Sequence, residues 1–179
     1  MTAENTVLVL VDVQGRLAES MHDRDTLYDN LQRLIRGMQA LQVPIIWVEQ
    51  IPEKMGATIP QVAALLTAER PIRKTCFSCC GSEEFRNKLQ ALNRRQVVVA
   101  GIEAHVCIYQ TAADLARDGY AVEVVADAVS SRTLANKQIA LQRIQGLAGA
   151  GVISVEMGLF ELARTAEHPA FRELLKIVK

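Results

Sequence analysis

Apolar residues along this 179-residue chain follow two alternating spacings. Short, almost unbroken runs rich in Val and Ile read as strands covered on both faces: Thr6–Asp12, Pro44–Glu49, Ile72–Lys74, Gln96–Gly101, Ala121–Val125 and Val152–Val155. Between them, apolar positions recur every three or four residues, as on one face of an amphipathic helix. In Asp25–Leu41 that stripe is Leu27, Leu31, Leu34, Met38 and Leu41. Further helices are predicted over Glu83–Leu92, Ala104–Arg117 and Leu134–Ala148, with Val155–Leu162 and Pro169–Ile177 closing the chain. A shorter one follows the Pro- and Gly-containing stretch Ile51–Pro60. Gly119 and Gly149–Gly151 stand where helices should stop, because glycine takes the left-handed capping conformation without steric penalty.

This alternation predicts a parallel sheet with helices on both faces, a three-layer α/β/α domain over residues 1–179. Parallel crossovers need about a dozen residues, and the spacings supply them. No repeat, low-complexity tract or linker divides the chain. The pattern alone does not give the order of the strands.

Composition narrows the function classes. Twenty Lys+Arg balance twenty Asp+Glu, so net charge provides no footprint for nucleic acid or an anionic membrane. The longest apolar runs, Val7–Val11 and Val97–Ile102, are far shorter than the roughly 20 residues needed to cross a bilayer. Nothing before Val7 has the layout of a signal peptide. Four cysteines, three of them at Cys76, Cys79 and Cys80, read as reduced thiols and not as a disulfide scaffold. The expected setting is the cytoplasm.

In open α/β sheets, ligands bind beyond the carboxyl ends of the strands. Asp12 ends the first predicted strand and Lys74 the third, and the fourth leads through Gly101 to Glu103, His105 and Cys107. Cys107 falls at the start of a predicted helix, where unpaired N–H groups and the helix dipole favour a thiolate. A nearby Lys74 would lower its pKa below the free value of about 8.5, and Asp12 could accept its proton. The same residues also have a plainer reading: a small buried cysteine, a loop-capping aspartate and a solvated lysine.

Other polar candidates carry less. Cys76 to Cys80 contains one C-x-x-C pair, with no second pair or spaced histidines to complete a zinc site. His105 lies two residues before Cys107, about 200° around a helix axis, and is expected to line the pocket or an interface. Gln14, Phe77, Ser78 and Glu103 are pocket candidates by position, while Trp47 is expected in the core. VDVQGR at 11–16 replaces the G-x-G-x-x-G turn of a dinucleotide site. A ribonuclease reading finds no basic, aromatic-rich patch to support it.

Six blocks bear a further likeness: VLVLVDVQ at 7–14, PIIWVEQ at 44–50, KTCFSCCG at 74–81, VVVAGIEAHVC at 97–107, QTAADLARDGY at 110–120 and VADAVSSR at 125–132. In this order, each at a predicted strand end, they resemble the isochorismatase-like cysteine hydrolase superfamily. They resemble especially its isochorismatase-domain proteins of mostly unassigned substrate. The resemblance implies a Rossmann-like, six-stranded parallel sheet in the order 3-2-1-4-5-6, with an Asp–Lys–Cys triad at Asp12, Lys74 and Cys107. It also implies a cis peptide between Ile102 and Glu103, aiming the Glu103 N–H, with that of Cys107, at a substrate oxyanion.

The activity implied is covalent hydrolysis of a small amide-like or related acyl substrate, without cofactor, by a homo-oligomer. The apolar stretch Val152–Leu162 supports self-association. Two departures narrow the reaction. Where nicotinamidases of the superfamily carry a metal-binding Asp-x-His run, this chain has Glu49-Gln50-Ile51-Pro52-Glu53, so no metal is expected. Isochorismatases proper typically lack the cysteine that is present here. A catalytically silent binding or scaffold protein on the same fold stays the alternative.

Overall fold

The structure, a computed structural model, describes residues 1–68 and 70–179. In chain order it comprises β1 (Thr6–Val11), α1 (Gly15–Glu19), α2 (Arg24–Ala40), β2 (Ile45–Gln50), α3 (Pro52–Met55), α4 (Pro60–Ala63) and β3 (Ile72–Lys74). There follow α5 (Glu83–Ala91), β4 (Gln96–Ile102), a π-helical turn (Ala104–Ile108), α6 (Tyr109–Arg117), β5 (Ala121–Ser130), α7 (Leu134–Gln145), β6 (Ala150–Ile153), α8 (Val155–Ala163) and α9 (Phe171–Val178).

All six strands run parallel in the order β3-β2-β1-β4-β5-β6, the order the resemblance implied. Sequence order reverses between β1 and β4. Successive side chains of a strand point to opposite faces, and β1 divides the core accordingly. Leu8 and Leu10 pack into one layer with residues of α2, α8 and α9, including the whole predicted stripe Leu27, Leu31, Leu34, Met38 and Leu41. Val7, Val9 and Val11 pack into the other, with Phe85 and Leu89 of α5, Ala112 and Leu115 of α6, and Ile144 of α7. Burial on both faces is why these strands read as unbroken apolar runs.

Several boundaries differ from the sequence expectation for identifiable reasons. β5 continues past Val125 to Ser130, because residues between Val124 and Val129 bulge out before pairing resumes opposite Gly101 and Ile102. Asn30 Nδ2 donates to the Asp127 carbonyl in that bulge at 2.9 Å. Asp127 Oδ1 accepts from the Val155 N–H at 2.9 Å, and Ser154 Oγ accepts from the Met157 N–H at 3.2 Å. These caps start α8 at Val155, so the last strand is Ala150–Ile153 and not Val152–Val155. α7 stops at Gln145 before Gly146, short of the expected Ala148. The helix expected from Ala104 opens as a π-helical turn and becomes α-helical at Tyr109.

The apolar stretch Val152–Leu162 is also corrected. Val155, Leu159 and Leu162 turn into the core against α2, leaving Met157 as its exposed large side chain. Among the described residues, no helix is long and apolar enough to cross a membrane.

Candidate active site

The polar residues at the carboxyl ends of the strands converge. Asp12 follows β1 in the left-handed region, φ +52°, which aspartate tolerates better than most residues. Its N–H donates to the Val48 carbonyl at 3.1 Å, extending the β1–β2 ladder by one bond. Lys74 ends β3, two strands from β1, a separation of about 10 Å that only a long side chain spans. Its Nζ reaches Asp12 Oδ2 at 2.6 Å and lies 3.8 Å from Cys107 Sγ. Cys107 sits in the π-helical turn after β4, where the Glu103 carbonyl accepts from both the Val106 and Ile108 N–H groups. The Ile102–Glu103 peptide is cis. Gly101 has φ +118°, and a Cβ there would lie 2.1 Å from the Val11 carbonyl oxygen, so the ends of β1 and β4 come together only at glycine.

Burial sets the electrostatics. Asp12, Lys74 and Cys107 are 3%, 4% and 7% exposed. Burial raises the Asp12 carboxyl above its ordinary value of 3.8, against the opposing pull of Lys74. It acts to lower Lys74, but the Asp12 and Cys107 charges outweigh it and hold the ammonium above its ordinary value. Cys107 is pushed up to about 12, first by burial and then by the Asp12 charge, with Lys74 offsetting only part. The expected lowering of this thiol is therefore reversed. The resting pair is a protonated thiol beside a carboxylate. Among the described residues, Asp12 Oδ1 is buried without a hydrogen-bond donor, an acceptor suited to that proton.

The remaining candidates divide by what they touch. Gln14 is fully buried, and its amide is held by main chain: Nε2 donates to the Gly56 carbonyl at 2.6 Å and to that of Gln50 at 3.2 Å, while Oε1 accepts from the Gln50 N–H at 2.7 Å. It braces the loop after β2. Ser78 is 8% exposed and caps the short turn Cys79–Gly81 by accepting from the Cys80 N–H. Phe77, beside it, is 56% exposed. The Glu103 carboxylate accepts from Arg132 at both Nε, 3.1 Å, and the main-chain N–H, 3.2 Å.

His105 Nδ1 is 2.9 Å from Ser131 Oγ and its Nε2 is 3.5 Å from Asn136 Nδ2. His105 thus ties the π-helical turn to the segment between β5 and α7.

Sequence reasoning missed Gln50, whose Oε1 accepts from Lys74 Nζ at 2.6 Å. Its parity on β2 opposite to Glu49 was the available signal. Glu49 points the other way, where its Oε1 accepts from the Thr58 N–H at 2.8 Å and hydroxyl at 2.7 Å. Trp47, in the core as expected, donates to the same Thr58 hydroxyl at 2.8 Å. Among the described residues no three His, Cys, Asp or Glu side chains gather to hold a metal ion. A cavity of about 310 Å³, lined by Ile51, Pro52, Arg73, Lys74, Cys76 and Ser82, opens beside β3. Another, of about 320 Å³ between α5 and α6, touches none of Asp12, Lys74 and Cys107.

The likeness to known proteins covers most of the chain. The isochorismatase domain pattern matches residues 6–157. Mouse isochorismatase domain-containing protein 2A is 36% identical over 177 residues, covering 98% of this chain and 84% of that protein. A solved Caenorhabditis elegans structure named MAR1 ribonuclease superposes with a TM-score of 0.92 at 33% identity, over 99% of this chain and 91% of its own. The Escherichia coli YcaC product, described as an octameric hydrolase of unknown specificity, shares the fold with a TM-score of 0.88 at 21% identity, over 98% and 94%. A domain match over most of the chain, with a relative 36% identical along nearly all of it, shows that the chain belongs to the isochorismatase family.

Proposed function

We propose that this protein is a metal-independent cysteine hydrolase that cleaves a small amide-like or related acyl substrate, acting on a non-peptide C–N bond. Family membership supports a hydrolase role. One observation carries the finer reading: a buried ammonium lies 2.6 Å from a carboxylate and 3.8 Å from a thiol, and that carboxylate's second oxygen has no donor among the described residues. A nucleophile, a base and a fixed positive charge are thereby in one place.

In this mechanism Cys107 Sγ attacks the acyl carbon as its proton passes to Asp12. The carbonyl electrons move to oxygen, facing the Glu103 and Cys107 N–H groups. Collapse breaks the C–N bond, and Asp12 returns the proton to the departing amine or ammonia. Asp12 next takes a proton from water, whose oxygen attacks the thioester. The sulfur leaves with the proton from Asp12, releasing the carboxylic acid and restoring the thiol. Positioned acid–base transfer typically supplies about 10²–10⁴ in rate, and each oxyanion donor about 10²–10³.

Self-association belongs to the same proposal. The YcaC neighbour is described as octameric, and Phe77, Leu134, Ile139 and Met157 leave large apolar side chains exposed here. Four free thiols support a reducing, cytoplasmic setting. The ribonuclease name of the Caenorhabditis elegans relative finds no counterpart in a chain of zero net charge.

A panel of small carboxamides, ureas and thioesters tests the reading, with each compound offered to the parent protein and to Cys107→Ala. The expected result is turnover by the parent and a loss of at least about 10³-fold in the variant. The parent rate should also fall on acidification, with a midpoint above the ordinary carboxylate value, because burial raises Asp12 and its protonation removes the base. Equal turnover by Cys107→Ala contradicts the reading.

A further inference from the structure

Lys74 is the pivot of this site, and an ammonium has three N–H donors. All three find oxygen acceptors: Asp12 Oδ2 at 2.6 Å, Gln50 Oε1 at 2.6 Å and the Cys76 carbonyl at 3.1 Å. Cys107 Sγ, at 3.8 Å, receives the charge but no short bond. Gln50 is the one neutral side chain in this set, and it is itself held. Its Nε2 donates to the Thr75 carbonyl at 2.8 Å, which fixes the oxygen toward Lys74. Its main-chain N–H and carbonyl are both gripped by the buried Gln14 amide.

We propose that Gln50 is a positioning residue of the active site. Its amide oxygen directs the Lys74 ammonium between Asp12 and Cys107 while leaving Asp12, among the described residues, as the only carboxylate on that ammonium, and Gln14 locks the Gln50 backbone in place. This rests on the cysteine-hydrolase reading above. Neutrality is the point of the side chain. Among the described residues, the groups acting on Asp12 are the Lys74 charge from β3, the Cys107 thiol as a hydrogen-bond partner and, more weakly, the Glu49 charge from β2. Glu49 stands on the opposite face of β2 and is bonded to Thr58. A second carboxylate at position 50 would compete for Lys74 and make Asp12 harder to ionise.

Carbamidomethylation by iodoacetamide supplies a probe independent of the natural substrate. The rate at Cys107 is followed by peptide mass spectrometry from mildly acid to mildly alkaline pH, with Cys80, whose carbonyl and N–H bond to Arg86 and Ser78, as the internal reference for a loosened fold. In the parent, the acid limb reports ionisation of Asp12. In Gln50→Glu the limb is expected to move to higher pH by about 1 unit, and in Lys74→Met by at least as much. Gln50→Met keeps the charge balance but loses the acceptor, so its plateau rate should fall about tenfold with the limb in place. If Gln50→Glu cannot be obtained folded, that fall at an unchanged Cys80 rate carries the test.

A Gln50→Glu profile coinciding with the parent's, while Lys74→Met shifts, overturns the role of Gln50 alone. So does a Gln50→Met plateau equal to the parent's. If Lys74→Met also leaves the profile unmoved, the hydrolase mechanism and the role of Gln50 fail together.

Discussion

Asp12→Ala is expected to lower both turnover and stability. The substitution removes the acceptor of the thiol proton and leaves the Lys74 ammonium, whose side chain is fully buried, without its counter-charge. Breaking one partner out of a buried ion pair typically destabilises by about 3–5 kcal/mol. Hydrolysis should drop by about 10²–10⁴ from loss of the base alone. Asp12→Asn separates the two effects. Its amide oxygen still accepts from Lys74 and its volume is unchanged, so urea denaturation should show a smaller loss of stability with the same loss of rate. The double variant Asp12→Ala with Lys74→Met should regain part of the stability and none of the activity. An Asp12→Asn protein as active as the parent contradicts the assignment of Asp12 as base.

Gly101→Ala is the second large effect, and it acts through the backbone. The added methyl meets the Val11 carbonyl carbon and nitrogen at 2.9 Å and its oxygen at 2.1 Å, all of them main-chain atoms in the neighbouring central strand. None of these is the end of a flexible side chain, so relief requires β1 and β4 to part. The φ of +118° adds a conformation that alanine rarely adopts. A loss of at least about 4 kcal/mol is expected, the range reserved for overpacked cores and forced backbone geometry. Thermal unfolding followed by circular dichroism measures it. Because Asp12 and Cys107 hang from these two strand ends, the folded fraction should also lose Cys107 reactivity. A midpoint near that of the parent would show that the strands have room to separate.

Much of this molecule is legible in the order of its residues, and the exceptions have physical causes. Strands buried on both faces announce themselves as apolar runs, and the α2 stripe maps residue for residue onto one core layer. Asp12, Lys74 and Cys107 are visible as reactive groups at strand ends, where α/β sheets bind ligands. Their contact depends on strand order, which periodicity does not encode and the family resemblance supplied. The bulge between Val124 and Val129 was hidden because it depends on partners far along the chain, Asn30 on one side and the start of α8 on the other.

Gln50 escaped for a similar reason. Its acceptor role exists only once β3 lies beside β2 and brings Lys74 level with it. The thiol of Cys107 was misjudged in sign because helix position and a nearby lysine can be inferred from sequence, whereas burial cannot. Burial and the Asp12 charge dominate, so Cys107 rests as a thiol. This also explains why a lysine so close does not leave a standing thiolate.

The central claim, that Cys107 carries the acyl group during turnover, is most directly tested by trapping that group. The parent protein is mixed with 4-nitrophenyl acetate, quenched in acid at short times and digested for peptide mass spectrometry. The expected result is one acetyl group on Cys107, formed in a burst and then lost to water, while Cys76, Cys79 and Cys80 stay unmodified. Release of nitrophenolate with no acetyl on Cys107, or with the acetyl on another cysteine, contradicts the account.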